Sequence, residues 1–82
     1  MNFIEEAIRN PNQKATVEFI EAELQEMDNY IRWYEQKYNT VLIGDRASFA
    51  QARNDWALMS NAQVIYMVSM WKKGIDERYR NQ

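Results

Sequence analysis

The chain has 82 residues, 46% hydrophobic and 27% charged, with a formal net charge of −2, the composition of a folded domain rather than a disordered segment. It contains no histidine and no cysteine, which excludes disulfides, thiol chemistry, imidazole acid–base catalysis and His/Cys zinc sites together. A chain this short buries only about 60% of its unfolded surface and is marginally stable alone, so association with further copies is expected.

Charge is unevenly distributed. Residues 1–45 hold nine acids and four bases, whereas residues 46–82 hold three acids and six bases. The halves should attract one another, which favours antiparallel packing and argues against a broad basic surface for duplex DNA. The longest strongly apolar run, VIYMVSMW at 64–71, falls far short of the roughly 18 residues of a membrane span. Glu5 and Glu6 stand where a signal peptide would be positive. The expectation is a soluble, cytoplasmic protein with no membrane partner.

Asn2 predicts a helix cap, with Glu5 completing a capping box and Phe3, Ile4, Ala7 and Ile8 giving one apolar side over about 3–9. Asn10 and Pro11 then predict the start of a second helix, over about 11–38. From Val17 its apolar residues run Ile20, Leu24, Met27, Ile31, Tyr34, Tyr38 in alternating steps of three and four. This seam is the strongest periodic signal in the chain.

NTVLIGD, residues 39–45, interrupts the pattern, and Asp45 is a good cap for a further helix. That third helix is expected over about 46–73, its seam Phe49, Ala52, Trp56, Met59, Tyr66 and Met70, with Gln63 the polar interruption. Lys72, Lys73 and Gly74 suit a helix end, leaving 74–82 as a polar tail. A competing reading makes TVLI and VIYMV strands, because both are rich in strand-forming residues. The periodicity favours an all-α protein, with a short N-terminal helix before a long antiparallel helical hairpin assembled as a homo-oligomer.

No motif specifies a reaction. Ser48 and Ser60 have no histidine to activate them, no glycine-rich phosphate loop is present, and Glu23 with Glu26 reads as solvated helix surface. Neither a cofactor nor a metal is implied. Phe19, Tyr30 and Trp33 lie on the shoulder of the second helix, roughly 110° from its seam. Either the first helix covers that shoulder or another chain does. With Trp71 these residues are the candidate protein interface, since buried Trp and Tyr dominate interface energetics. Ala50, Ala57, Val64 and Trp71, with Leu58, Ile65 and Val68 opposite, make the third helix apolar almost all round. Such a helix must be covered from several directions, and the methionines at 59, 67 and 70 would adapt to an irregular partner.

Two basic sets offer other chemistries. Arg46 and Arg53, seven apart near the start of the third helix, suit a phosphate or nucleotide, or else pairing with the acidic second helix. Lys72, Lys73, Arg78 and Arg80 surround Tyr79, an arrangement that can bind a single strand, with Lys72, Lys73 and Tyr79 as its contacts.

RASFAQARNDWALMSNAQ, residues 46–63, resembles the second hairpin helix of phage proteins that sequester cyclic nucleotide signals of bacterial immunity. Arg46, Ser48, Asp55, Ala57 and Met59 carry the resemblance. Ser60 stands where that family has tryptophan, and the N-terminal segment has no counterpart to its ligand-contacting arm. The resemblance implies oligomerisation and cyclic-nucleotide binding. Composition and aromatic content point instead to a non-catalytic binding protein, an inhibitor or adaptor of a larger complex of the kind phages and mobile elements encode. Its partners would be itself and another protein.

Overall fold

A computed structural model describes residues 2–80 and contains four helices: α1 (Phe3–Arg9), α2 (Val17–Tyr38), α3 (Ile43–Trp56) and α4 (Asn61–Arg80). The all-α expectation holds, and the strand reading fails. Residues 64–68 lie inside α4, residues 39–42 form a loop, and the described residues contain only an isolated bridge between Lys14 and Ser60.

Asn2 caps α1 as expected, its Oδ1 accepting from the backbone N–H of Ile4 at 2.9 Å and of Glu5 at 3.3 Å. The second helix starts six residues later than Pro11 suggests. Thr16 is its cap, with Oγ1 accepting from Phe19 N–H at 3.1 Å. The reason lies elsewhere in the chain. The carbonyls of Pro11 and Gln13 accept from the N–H groups of Ala62 and Asn61 at 2.9 and 2.8 Å, and Asn61 Nδ2 donates to Asn10 O. The linker therefore satisfies first-turn donors of α4 that no helix can satisfy internally, which holds 11–13 out of helical conformation.

The expected helix 46–73 is two helices. α3 ends at Trp56, residues 57–60 turn, and α4 begins at Asn61. Ser60 and Gln63 form a reciprocal capping box: Ser60 N–H donates to Gln63 Oε1 at 2.8 Å, and Gln63 N–H donates to Ser60 Oγ at 3.3 Å. The polar interruption of the supposed seam is thus the start signal of a new helix. α3 also begins earlier than Asp45, at Ile43. Its leading residue Leu42 has no side-chain cap, and the Glu35 carboxylate accepts from Leu42 N–H at 3.0 Å instead.

The polar tail is also revised, since α4 continues to Arg80. Gly74 has ordinary negative φ and lies inside the helix. Ile75, one residue on, is fully buried beside Ile31, Tyr34 and Leu42, and that packing outweighs the roughly 1 kcal/mol cost of a helical glycine.

α3 runs antiparallel to α2, since Arg46 pairs with Glu35 and Arg53 with Glu21. α4 runs parallel to α2, since Lys72 pairs with Glu26 and Asp76 meets Tyr30 and Tyr34. A two-helix hairpin accordingly becomes a three-helix arrangement on the α2 seam, with α1 packed across α2 and α4. The molecule spans 38 × 20 × 20 Å.

Candidate protein-interaction surfaces

The aromatic shoulder of α2 is covered mainly by an element not expected there. α1 covers only Phe19, which is 2% exposed in one core cluster with Ala7 and Val64 and so packs within its own chain. The C-terminal half of α4 covers Tyr30, whose ring lies 5.9 Å from that of Trp71. Tyr30 and Tyr34 both donate their hydroxyls to Asp76 Oδ1. Tyr79, expected in a polar tail, packs 4.5 Å from Tyr38 and 5.0 Å from Tyr34. Trp33 remains 53% exposed, edge-on to Tyr34 at 4.9 Å and carrying Lys37 Nζ over its face at 4.7 Å.

Asp76 ties this aromatic cluster together. The hydrogen bonds from Tyr30 and Tyr34 hold its carboxyl below the usual range, with Arg80 and Lys72 adding smaller attraction. Burial, followed by Asp76 itself, raises Tyr30, while the Asp76 bond is the larger cause of the rise at Tyr34. Asp76→Ala should cost about 1–3 kcal/mol, because it leaves two partly buried hydroxyls without their charged acceptor. Urea unfolding followed by circular dichroism measures the loss.

The arginines proposed for nucleotide contact are engaged. Arg46 reaches Glu35 at 2.5 and 3.0 Å and Asp28 at 3.4 Å. Arg53 grips both oxygens of Glu21 at 2.6 and 3.0 Å. The Arg46 bond, then Leu42 N–H, pulls the Glu35 carboxyl down to about 2. These contacts are the pairing with the acidic second helix that charge asymmetry suggests. Of the single-strand candidates, Lys72 faces Glu26 at 3.7 Å and the Tyr30 ring at 5.4 Å, Tyr79 is in the aromatic cluster, and Lys73 is exposed.

Glu23 departs from its expected solvated role. It is only 4% exposed, and its carboxyl is pushed up by burial first, then by Glu26, with Lys72 opposing. A raised carboxyl favours the folded state more as pH falls through its folded value. Glu35 works oppositely: its contribution is complete above its unfolded pKa and disappears as pH falls toward about 2. Glu23→Gln should therefore raise the melting temperature at pH 7, because it removes the charge that burial and Glu26 disfavour. The gain should shrink steadily in melts taken from pH 7 down to pH 4.

Sequence reasoning missed the groove between α3 and α4, of about 710 Å³. Phe49, Trp56, Met59 and Trp71 form its apolar walls, and Met67 and Leu58 stand at its edge. Leu58 is 83% exposed and Met67 43%, and exposed Tyr66 and Met70 adjoin them on α4. Asp55 is the one charged residue lining it. The all-round apolar character of 49–71 was the available signal. It could not show the cause, which is that the chain turns at 57–60 and leaves one face of each helix uncovered. Trp71 links groove and aromatic cluster, and its buried Nε1 finds no hydrogen-bond partner among the described residues.

Fold and surface together describe a small helical protein with an apolar groove. Comparison with protein-family models, with characterised proteins and with solved structures returned no match. No helix among the described residues is long and apolar enough to cross a membrane.

Proposed function

We propose that this protein acts by binding rather than catalysis, as an interaction protein that pairs with a second copy of itself through the α3–α4 groove. In that form it serves as an inhibitor or adaptor of a larger complex. The near absence of charge around an open apolar groove carries this reading. A two-fold contact sets a patch against itself, so every charge in it meets its like. A surface lined by Asp55 alone among ionisable residues tolerates its own copy, and it offers no cation to a nucleic acid or an anionic ligand.

Size supports the same reading. The chain exposes 5685 Å², against about 5200 Å² for a compact monomer of its mass by the surface scaling of globular proteins. The cyclic-nucleotide reading draws less support, because Arg46 and Arg53 already hold carboxylates, and so does the single-strand reading, because Tyr79 is packed against Tyr38.

Light scattering across a concentration series is the test, with a mass rising from 9.9 kDa toward twice that value expected. A constant monomer mass up to several hundred micromolar would overturn the proposal. A thermal-shift panel of cyclic di- and trinucleotides, with Arg46→Ala as control, tests the nucleotide alternative.

A further inference from the structure

The turn between α3 and α4 contains none of the residues that usually make turns. It reads Ala57-Leu58-Met59-Ser60, with neither glycine nor proline, and three of the four residues are good helix formers. Its backbone starts out helical, at Ala57, and leaves that conformation only toward Ser60, which bridges to Lys14. Ala57 has φ −61 and ψ −18, and no residue here has positive φ, Asn39 being the one non-glycine residue that does among those described. Leu58 N–H donates to Asp55 O at 3.3 Å and Met59 N–H to Trp56 O at 3.0 Å, the tightened i to i−3 pattern of a helix end.

Two sets of contacts oppose continuation. One is the Ser60–Gln63 capping box, and the other is the 11–15 linker, whose Pro11 and Gln13 carbonyls hold the first turn of α4 and whose Ala15 N–H donates to Met59 O at 2.9 Å beside the Lys14–Ser60 bridge. The exposed Leu58 at the tip of the turn is unexplained by either.

We infer that α3 and α4 can join into one continuous helix, and that two chains in this form exchange their α4 helices. Residues 43–80 would then make a rod of about 57 Å at 1.5 Å per residue. Each α4 would leave its own α2 and settle on the α2 of the second copy. Its side-chain contacts there are ones already present: Asp76 with Tyr30 and Tyr34, Lys72 with Glu26, Arg78 with Asp45, and Asn61 Nδ2 with Asn10 O, whereas the backbone N–H groups of Asn61 and Ala62 exchange the linker carbonyls for those of Ala57 and Leu58 in the continuous helix.

Periodicity agrees. The buried stripe of α3 includes Ala52 and Trp56, that of α4 includes Val64, Val68 and Ile75, and the second leads the first by a little over one helical position, about 120°. A single helix would therefore present its two halves to two different bundles. The chain directions also agree. α3 is antiparallel to α2 and α4 is parallel to it, so a straightened helix runs out of one bundle into a second that faces the other way. Exchange is a mode of association separate from the groove, which it reproduces between α3 of one chain and α4 of the other.

Because exchange and groove pairing are separate, the test is made in a Met67→Glu background, where groove pairing is disfavoured. The chain lacks cysteine, so Asp45→Cys with Arg78→Cys supplies a unique pair, 2.7 Å apart at the native side-chain tips. Protein concentrated to millimolar levels, held just below its melting temperature and cooled is then treated with a short bis-maleimide. Exchange predicts covalent dimers on denaturing gels that persist after dilution; one folded chain predicts only internally linked monomer.

Ser60→Ala, which removes one cap, should raise the dimer fraction severalfold. Leu58→Gly should lower it severalfold while Leu58→Ala leaves it unchanged, because glycine disfavours the helix and alanine does not. Only internally linked monomer in all these backgrounds overturns exchange, and it leaves the groove proposal to stand or fall on wild-type mass.

Discussion

Ile75→Ala is expected to lower the free energy of unfolding by about 2–5 kcal/mol, the range for deleting a large buried aliphatic side chain. Ile75 is 0% exposed and packs with Ile31, Tyr34 and Leu42, where α4 crosses the C-terminal end of α2 and the loop before α3. No other residue holds those three elements in one cluster from the α4 side so completely. In a domain whose whole stability is about 5–15 kcal/mol, the loss is large enough to be seen as partial unfolding at 37 °C. Removal of residues 74–82 should be more severe still, since Asp76 and Tyr79 go with it. Thermal and urea melts decide the matter: a change below about 0.5 kcal/mol, the size typical of surface positions, would mean that the last two turns of α4 contribute nothing to the fold.

Met67→Glu is expected to weaken self-association at least 100-fold, about 3 kcal/mol or more, while leaving the monomer fold intact. Met67 lies on the exposed face of α4 at the groove edge, and glutamate is a good helix former, so the isolated chain should melt within a few degrees of wild type. In a two-fold pair the same residue appears twice in a surface whose one ionisable group is Asp55. Burying new carboxylates there without a cation is strongly unfavourable. Sedimentation equilibrium of the two proteins side by side measures the ratio. An unchanged dissociation constant would move the contact away from this groove.

Much of the helical content was legible because it rests on local rules. The α2 seam follows from spacing, and Ile20, Leu24, Met27, Ile31 and Tyr34 are all buried, although Val17 at its start is exposed and Tyr38 at its end half-buried. The pairing of Arg46 and Arg53 with α2 carboxylates follows from the opposite charge of the two halves. The break at 57–60 was harder to read. Ala57, Leu58 and Met59 favour helix, and the one local stop signal, Ser60 with Gln63, coincides with a position at which the seam tolerates a polar residue. The groove was illegible for the same reason: it exists only where the chain turns.

The aromatic run 28–38 shows the division most clearly. Spacing by itself separated Tyr34 and Tyr38, on the seam, from Tyr30 and Trp33, on the shoulder, because rotation per residue in a helix is a local constant. What covers the shoulder depended on where α4 lies. Its C-terminal half brings Trp71 and Asp76 onto Tyr30 and leaves Trp33 half open. Sequence periodicity can say that a face is apolar and in which direction it points. Only the packing of helices distant in the chain can say whether that face is core or surface, because burial is a property of the whole arrangement and not of any one helix.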